Sequence, residues 1–468
     1  MLALPSSRTD VYSEADEILA GMIDAYRRDG NPVRTDFRNI VDLRYNTERA
    51  THLIHTYPAK LIVHIPNFFL SCRSLIAPRG TVADPFCGSG TVLLEAALKG
   101  YELIGADSNP LARLITLAKL TVADVDTLNH AIIAVASAKS NPVPSELPDV
   151  VNRDYWYSQN IQHELSSIWN AIQPFRNTSA FPLLQITFSQ CSRKVSRADP
   201  KFSVPVRLKP EKYARNPALY KKAEKHEQWL SSVSCYDAYT NILRENTRRH
   251  EDLARMLPRK PRITYLGKEA RKLGAEFAVR PWKRGVKKNS VDLILTSPPY
   301  AGAQKYIRAS SLNIGWLGLA PSTRLRELED GCIGREHFKK SDVSANLATG
   351  LDEADIVLTR LRGKSPLRAH LMATYLLEMR DALTELSRAL KRDGYAILVL
   401  GNNKVCAEAF DTVRFTTTLA EQVGFSTVLH IVDEIKSRGL MTRRNKNSGI
   451  IETESVVVLK NSAGAQNE

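Results

Sequence analysis

The sequence predicts an α/β fold: a doubly wound, mostly parallel sheet that carries a large basic helical insertion. Three observations predict it. A strand, glycine turn, helix and second strand occupy residues 80–120, about the size of half a doubly wound sheet. A second block of apolar runs and amphipathic helices begins near residue 262. Between them, Asp84 and Pro298 stand 214 residues apart, whereas successive β/α units need about 30 residues each.

In chain order, residues 1–50 read as a helical leader with an apolar rhythm between Tyr12 and Tyr26, followed by a polar connector. TVAD is the first sheet strand. TVLLEAALK follows a Gly/Ser turn as a helix stopped by Gly100, and YELIGAD is the next buried strand. RITYLG (262–267) and VDLILT (291–296) continue the sheet. A helix from about Tyr375 to Lys391 leads through Asp393-Gly394 into YAILVLG, and another helix covers roughly 411–423. Strands near 425–435 and 453–460 are expected to form an antiparallel hairpin at the sheet edge, ahead of a frayed tail at 461–468. The catalytic sheet is thus expected in two pieces, 51–125 and 262–460, with residues 126–261 inserted.

Composition narrows the function. The chain has 468 residues, 43% hydrophobic and 25% charged, which suits globular domains and excludes disorder over most of its length. Cys72, Cys87, Cys191, Cys235, Cys332 and Cys406 form no CxxC pair. They read as reduced thiols of a cytoplasmic protein, with neither a disulfide framework nor a metal site. The opening MLALPSSRTDVYSEADE turns polar too early for a signal peptide, and the apolar stretch at 61–72 is too short and too interrupted to span a bilayer.

The net charge is +15, and residues 191–262, with 18 Lys/Arg against 8 Asp/Glu, hold +10 of it. Tyr213, Tyr220, Trp229 and Tyr236 are among the aromatics interleaved with those bases. Two readings compete: a solvated helical face, or a nucleic-acid recognition region with Arg193, Lys194 and Arg197 on phosphates.

Two motifs carry the chemistry. In DPFCGSGT (84–91), Gly88 and Gly90 permit a tight turn and close approach of a ligand to the backbone, ahead of a helix N-terminus. Asp84 ends the first strand and can face a ligand ammonium group. Asp107, which ends the next strand 19 residues after Gly88, is placed to accept hydrogen bonds from ribose hydroxyls. The turn is not GxGxxG, which argues against a dinucleotide pyrophosphate. TSPPY (296–300) ends a buried strand, at the edge where open α/β sheets bind ligands. Its prolines remove two N–H donors and leave carbonyls as acceptors; Ser297 adds a hydroxyl and Tyr300 a flat ring. Such a site suits a planar ring bearing an exocyclic NH2.

DPFCGSGT, GADSNP and TSPPY together resemble the amino-group DNA methyltransferases that use S-adenosylmethionine, and HTYPAK (55–60) and YIRASSLNIGWLG (306–318) are similar to further stretches of that family. The match covers roughly 52–120 and 262–460, in the order called α. The resemblance implies the Rossmann-like sheet of class I methyltransferases. It implies that Asp84, Phe86, Gly88, Gly90 and Thr91 cradle the methionine part of the cofactor, with Tyr57 and Lys60 near its carboxylate, Asp107 on the ribose and Glu269 near the adenine. Ser297 and the Pro298 carbonyl would accept from the target amine, with Pro299 stiffening the turn and Tyr300 stacking on a base swung out of the duplex. SPPY in this family usually accompanies cytosine N4. The expected function is therefore cytosine-N4 methylation of double-stranded DNA, with a cognate restriction endonuclease as the partner of a restriction-modification role. The alternatives are adenine-N6 methylation, RNA guanine-N2 methylation, and a non-catalytic specificity subunit. A C5-cytosine enzyme needs a Pro-Cys nucleophile, and the chain has no Pro-Cys dipeptide. The recognition sequence and oligomeric state are not legible.

Overall fold

The two blocks of apolar runs meet in one sheet. The computed structural model describes residues 8–43, 49–143, 146–274, 285–302, 305–343, 347–434 and 453–462, with side chains from Glu14 onward. The strands are β1 (Val33–Thr35), β2 (Thr81–Asp84), β3 (Glu102–Ala106), β4 (Arg262–Gly267), β5 (Val291–Thr296) and β6 (Leu390–Leu400). After a small separate hairpin, β7 (Asn403–Val405) with β8 (Glu408–Phe410), come β9 (Phe425–Glu434) and β10 (Thr453–Asn461). The sheet order is β1-β9-β10-β6-β5-β2-β3-β4. From β4 to β6 all neighbours are parallel, and β10 alone runs antiparallel to both of its neighbours.

The chain builds outward from β2 through β3 to β4, then returns to β5 on the other side of β2. That reversal leaves a crevice beyond the carboxyl ends of β2 and β5, the switch point where ligands bind in such sheets. DPFCGSGT follows β2 and TSPPY follows β5, so the two motifs open into the same gap.

The sheet is buried on both faces. Helices Asp352–Lys364, Pro366–Ala389 and Thr412–Gln422 cover Ile294, Ala396, Leu398 and Val457 on one side. On the other, helix Thr91–Leu98 and the leader helix Arg8–Asp29 pack over Val82, Leu293, Ile397 and Leu429.

Three expectations need correction. The final hairpin is not at the edge: β10 lies between β9 and β6, and β1 flanks β9. The reason is the continuous apolar run Val456–Leu459, whose alternate side chains enter the cores on opposite faces, so the strand is stable only when paired on both sides. Asp393-Gly394 does not separate a helix from a strand, because the helix ends at Ala389 and β6 begins at Leu390. Val291 faces Leu390 and Leu293 faces Tyr395, so the intervening residues loop out within the strand with Asp393 at φ +61°. In the tail, Asn461 is held in β10, its amide donating to the carbonyls of Ser387 and Leu390; residues 463–468 lie outside the described residues, as does the start of the leader at 1–7.

The insertion is helical, as expected, but shares a core with the sheet domain. Helices Val125–Ser140, Gln159–Ile172, Phe181–Lys194 and Cys235–Met256 pack with helices Pro110–Leu120 and Tyr306–Trp316. Ile115, Leu165, Phe188, Tyr239 and Trp316 meet in that core. Helix Pro217–Ser232 differs: it buries only Ala223 and Leu230 and leaves Lys221 and Lys225 in solvent. No helix among the described residues is long and apolar enough to cross a membrane.

Candidate active site

The glycine turn sets the floor of the crevice. Gly88 (φ +49°) and Gly90 (φ +74°) adopt the left-handed conformation that costs other residues energy. A Cβ on Gly90 would sit 2.8 Å from Thr116 Oγ1, so any side chain there forces Thr116 or the turn to shift. Behind it, the buried thiol of Cys87 packs beside Thr116, and burial pushes its pKa well up, which makes it an inert packing group. The buried Thr91 hydroxyl finds no partner at the start of the following helix.

Asp107 is held by that turn. Its two carboxylate oxygens accept from the backbone N–H groups of Gly88 (2.9 Å) and Asn109 (2.8 Å). Burial raises its pKa, against the lowering effect of those two bonds. A carboxylate offers about four acceptor positions, so two remain for hydroxyl donors entering the crevice that Asp107 lines.

The third wall comes from the segment before β2. Tyr57 lines the crevice, its hydroxyl accepting from Asn109 Nδ2 (3.2 Å), which also donates to Ser310 Oγ (3.0 Å). Its ring stacks with Tyr306 at 6.3 Å. Across the gap, Glu269 forms a bidentate pair with Arg271, which also reaches Glu378 and the Gly331 carbonyl. That one guanidinium ties the β4 tip to the 331–333 segment.

TSPPY closes the site. Ser297 and Pro299 line the same crevice as Phe86 and Gly88. The Ser297 hydroxyl donates to the Val399 carbonyl of β6 at 3.2 Å, which leaves its oxygen lone pairs free to accept.

Several expected residues stand elsewhere. Lys60 is exposed and donates to the His52 carbonyl, while its neighbour Ala59 faces the crevice. Asp84 is turned away from the gap: its Oδ1 accepts from Thr296 Oγ1 (2.6 Å) and the Phe86 N–H, and burial pushes its pKa up to about 7. It couples the tips of β2 and β5 and is not among the residues that line the crevice. Gly90 and Thr91 shape the turn from behind, and Pro298 is buried beneath it. Tyr300 is outside the crevice lining, with its hydroxyl on Glu454. Arg193 is directed inward, donating to Ser196 Oγ and the carbonyls of Asp199 and Phe202, because helix Phe181–Lys194 ends against that loop. Lys194 is exposed, and Arg197 is half-buried on the Asp154 carbonyl.

Sequence reasoning does not single out Asn109 and Tyr306 as site residues, although both lie inside the motifs GADSNP and YIRASSLNIGWLG. Asn109 also bears a signal of its own, an Asn before Pro at a helix start, where its side chain caps the Leu111 N–H.

A family model described as D12 class N6 adenine-specific DNA methyltransferase matches residues 65–250. The type II methyltransferase M.MvaI of Kocuria varians is 25% identical over 447 residues, 90% of this chain and 93% of its own. These matches support a likeness to the amino-group DNA methyltransferases. A second type II methyltransferase, M.MjaII of Methanocaldococcus jannaschii, is 31% identical over 102 residues, 21% of this chain and 19% of its own. Among solved structures, a putative DNA modification methylase of Thermus thermophilus complexed with S-adenosyl-L-methionine covers 42% of this chain and 54% of its own, at 16% identity and a TM-score of 0.21. The rRNA methyltransferase aviRa of Streptomyces viridochromogenes covers 92% and 97%, at 11% identity and a TM-score of 0.29. The D12-class model extends through the inserted helices to residue 250, where the resemblance by motif leaves roughly 121–261 unmatched. The shared core with helix Pro110–Leu120 is the physical counterpart of that extent.

Proposed function

We propose that this DNA methyltransferase transfers a methyl group from S-adenosylmethionine to the exocyclic N4 amine of cytosine at a specific site in DNA. The observation that carries the reading is the convergence of Gly88, Asp107 and Ser297 on one crevice. The residues present fit the cofactor: a turn whose Gly88 lines the gap beside the Tyr57 ring, an incompletely satisfied carboxylate at Asp107, and aromatic walls from Phe86 and Tyr57. Asp107 would hold the ribose, Glu269 would lie near the adenine, and Tyr57 with the Gly88 turn would take the methionine end. Bound there, S-adenosylmethionine supplies an electrophilic methyl group on a sulfonium centre.

The protein's own part is to prepare the nucleophile. An exocyclic amine of cytosine is weak because its lone pair is delocalised into the ring. Ser297 Oγ, its proton committed to Val399, and the backbone carbonyl of Pro298, a residue whose ring is buried beneath the turn, would accept the two N–H protons and draw the nitrogen towards sp3 geometry. Acceptors that meet growing positive charge stabilise the transition state more than the ground state, and the shared crevice supplies orientation.

A second reading, methylation of adenine N6, is favoured by the description of the matching family model; the serine of TSPPY favours cytosine. Incubation with labelled cofactor and duplex DNA, followed by nucleoside analysis, separates them. N4-methylcytosine is expected. N6-methyladenine as the sole product overturns the base assignment, and label confined to RNA overturns the substrate. A restriction-modification role with a cognate endonuclease is part of the same proposal, supported by the type II names of both relatives. Site-resolved sequencing of methylated DNA from expressing cells tests its site specificity, a single recurring sequence being expected.

A further inference from the structure

Tyr300 ends the TSPPY motif, yet the structure ties its hydroxyl to a residue 154 positions away. The phenol donates to Glu454 Oε1 at 3.0 Å. Glu454 is the second residue of β10, and its position follows from topology. Because β10 runs antiparallel to β6, its first residues lie at the carboxyl edge of the parallel strands. Ser455 pairs with Leu400, the last residue of β6, so Glu454 sits just past the end of that strand. Thr296 pairs with Leu398, so TSPPY leaves the sheet at the same level on the other side of β6.

The contact differs from an incidental surface bond. Both partners are half-buried, and a carboxylate drawn out of water is costly without compensation. Arg38 does not pair with Glu454; its guanidinium lies 3.7 Å from Asp433, the residue opposite Glu454 on β9. The hydroxyl of Tyr300 is thus the hydrogen-bond donor that the structure gives this acid. On the tyrosine side, the backbone is stiffened by Pro298 and Pro299, and the Ala301 carbonyl accepts from Asn403 Nδ2 at 2.8 Å. The ring is therefore fixed at its root by the turn and at its tip by Glu454.

We infer that Glu454 is a positioning residue for methyl transfer, holding the Tyr300 ring in the orientation that receives the target base beside Ser297. This rests on the proposed function together with the stacking of Tyr300 on the extruded base that the resemblance implies, Tyr300 following directly on Pro299, which lines the crevice with Ser297. Glu454 acts through Tyr300 and touches neither cofactor nor amine.

The test uses the full-length protein, cofactor and a duplex carrying 2-aminopurine at the target position for fluorescence, with unmodified duplex for rates. Glu454→Ala and Tyr300→Phe each remove the same hydrogen bond from one side. Each is expected to slow single-turnover methylation roughly tenfold, as loss of a hydrogen bond to a charged group implies. The double variant is expected to lose no more than either alone, the fluorescence of the extruded base should fall in all three, and cofactor affinity should be unchanged. Glu454→Gln, whose amide oxygen still accepts from the phenol, should recover most of the rate. The inference is overturned if Glu454→Ala keeps the full rate, if the two losses multiply, or if cofactor affinity falls in parallel. If Glu454→Ala does not fold, Tyr300→Phe against Glu454→Gln decides: a full rate in the first or a full loss in the second overturns it. Failure of the unaltered protein to methylate DNA strikes the proposed function instead, and is read from the wild-type lane before any variant.

Discussion

At the scale of single residues, the proposed function gives two acceptors, Ser297 and Asp107, different tasks. Ser297 has no role in holding the turn apart from its bond to Val399, so Ser297→Ala is expected to lower turnover by two orders of magnitude or so while cofactor affinity stays within about twofold. Equal losses in both would mean that the residue binds the donor. Asp107 is the converse case. Asp107→Asn puts an NH2 against one of two backbone N–H donors at 2.9 and 2.8 Å, and it removes acceptors from the crevice. Calorimetry is expected to show cofactor affinity weakened by about ten- to a hundredfold, since a buried donor left facing a donor costs about 1–3 kcal/mol. Gly90→Ala meets Thr116 at 2.8 Å in a left-handed conformation. It should cost about 1–3 kcal/mol in denaturant unfolding, and an unchanged midpoint would show that the turn relaxes.

At the scale of elements, the basic insertion is not uniform. Helix Phe181–Lys194 is part of the site's scaffold. His55 Nε2 meets Ser189 Oγ at 2.9 Å, and Asn313 Nδ2 donates to the same oxygen at 2.8 Å, so one inserted helix joins the segment before β2 to the helix after TSPPY. This accounts for the first residue of HTYPAK: His55 is a structural link, not a cofactor ligand. Charge on that helix therefore splits into two kinds. Arg193→Ala removes donors from two carbonyls and a hydroxyl and is expected to destabilise by about 1–3 kcal/mol. Lys194→Ala with Lys201→Ala, both exposed, should leave stability unchanged. The pair should reduce the slope of log affinity for DNA against log salt by up to about 1.8, near 0.9 for each phosphate no longer neutralised. An unchanged slope would return those lysines to a solvated face.

At the scale of the whole molecule, buried histidines set the acid limit. His52, His55 and His250 are pushed down to about 4, in each case chiefly by burial. The unfolded chain protonates them near 6.5, so between about pH 6.5 and 4 it binds more protons than the native state. Stability is then full above about pH 6.5 and falls as pH drops towards 4. Asp84 works in the opposite sense: with its pKa raised to about 7 by burial, its contribution is present at low pH and lost as pH rises through 7. Three groups outweigh one, and the unfolding midpoint measured from about pH 8 to 4 is expected to fall, most steeply below about pH 6.5. A flat profile would mean that these imidazoles reach solvent.

Much of the sheet was legible because its strands are buried on both faces, and such strands appear as unbroken apolar runs such as VDLILT and TVAD whatever their neighbours. The motifs at the tips of β2 and β5 were legible for a related reason: a glycine turn and a proline pair dictate local backbone without help from distant residues. What the sequence by itself determined is therefore the local backbone at each strand end and the fact of an insertion. The tertiary structure alone decided which acids line the crevice. Asp84 turns to Thr296 across 212 positions while Asp107 stays open to the crevice, and antiparallel β10 carries Glu454 to Tyr300. Charge, aromaticity and local spacing are properties of a stretch of chain, but the direction of a side chain is set by what packs against it. For Arg193, Asp84 and Tyr300, those neighbours come from folding.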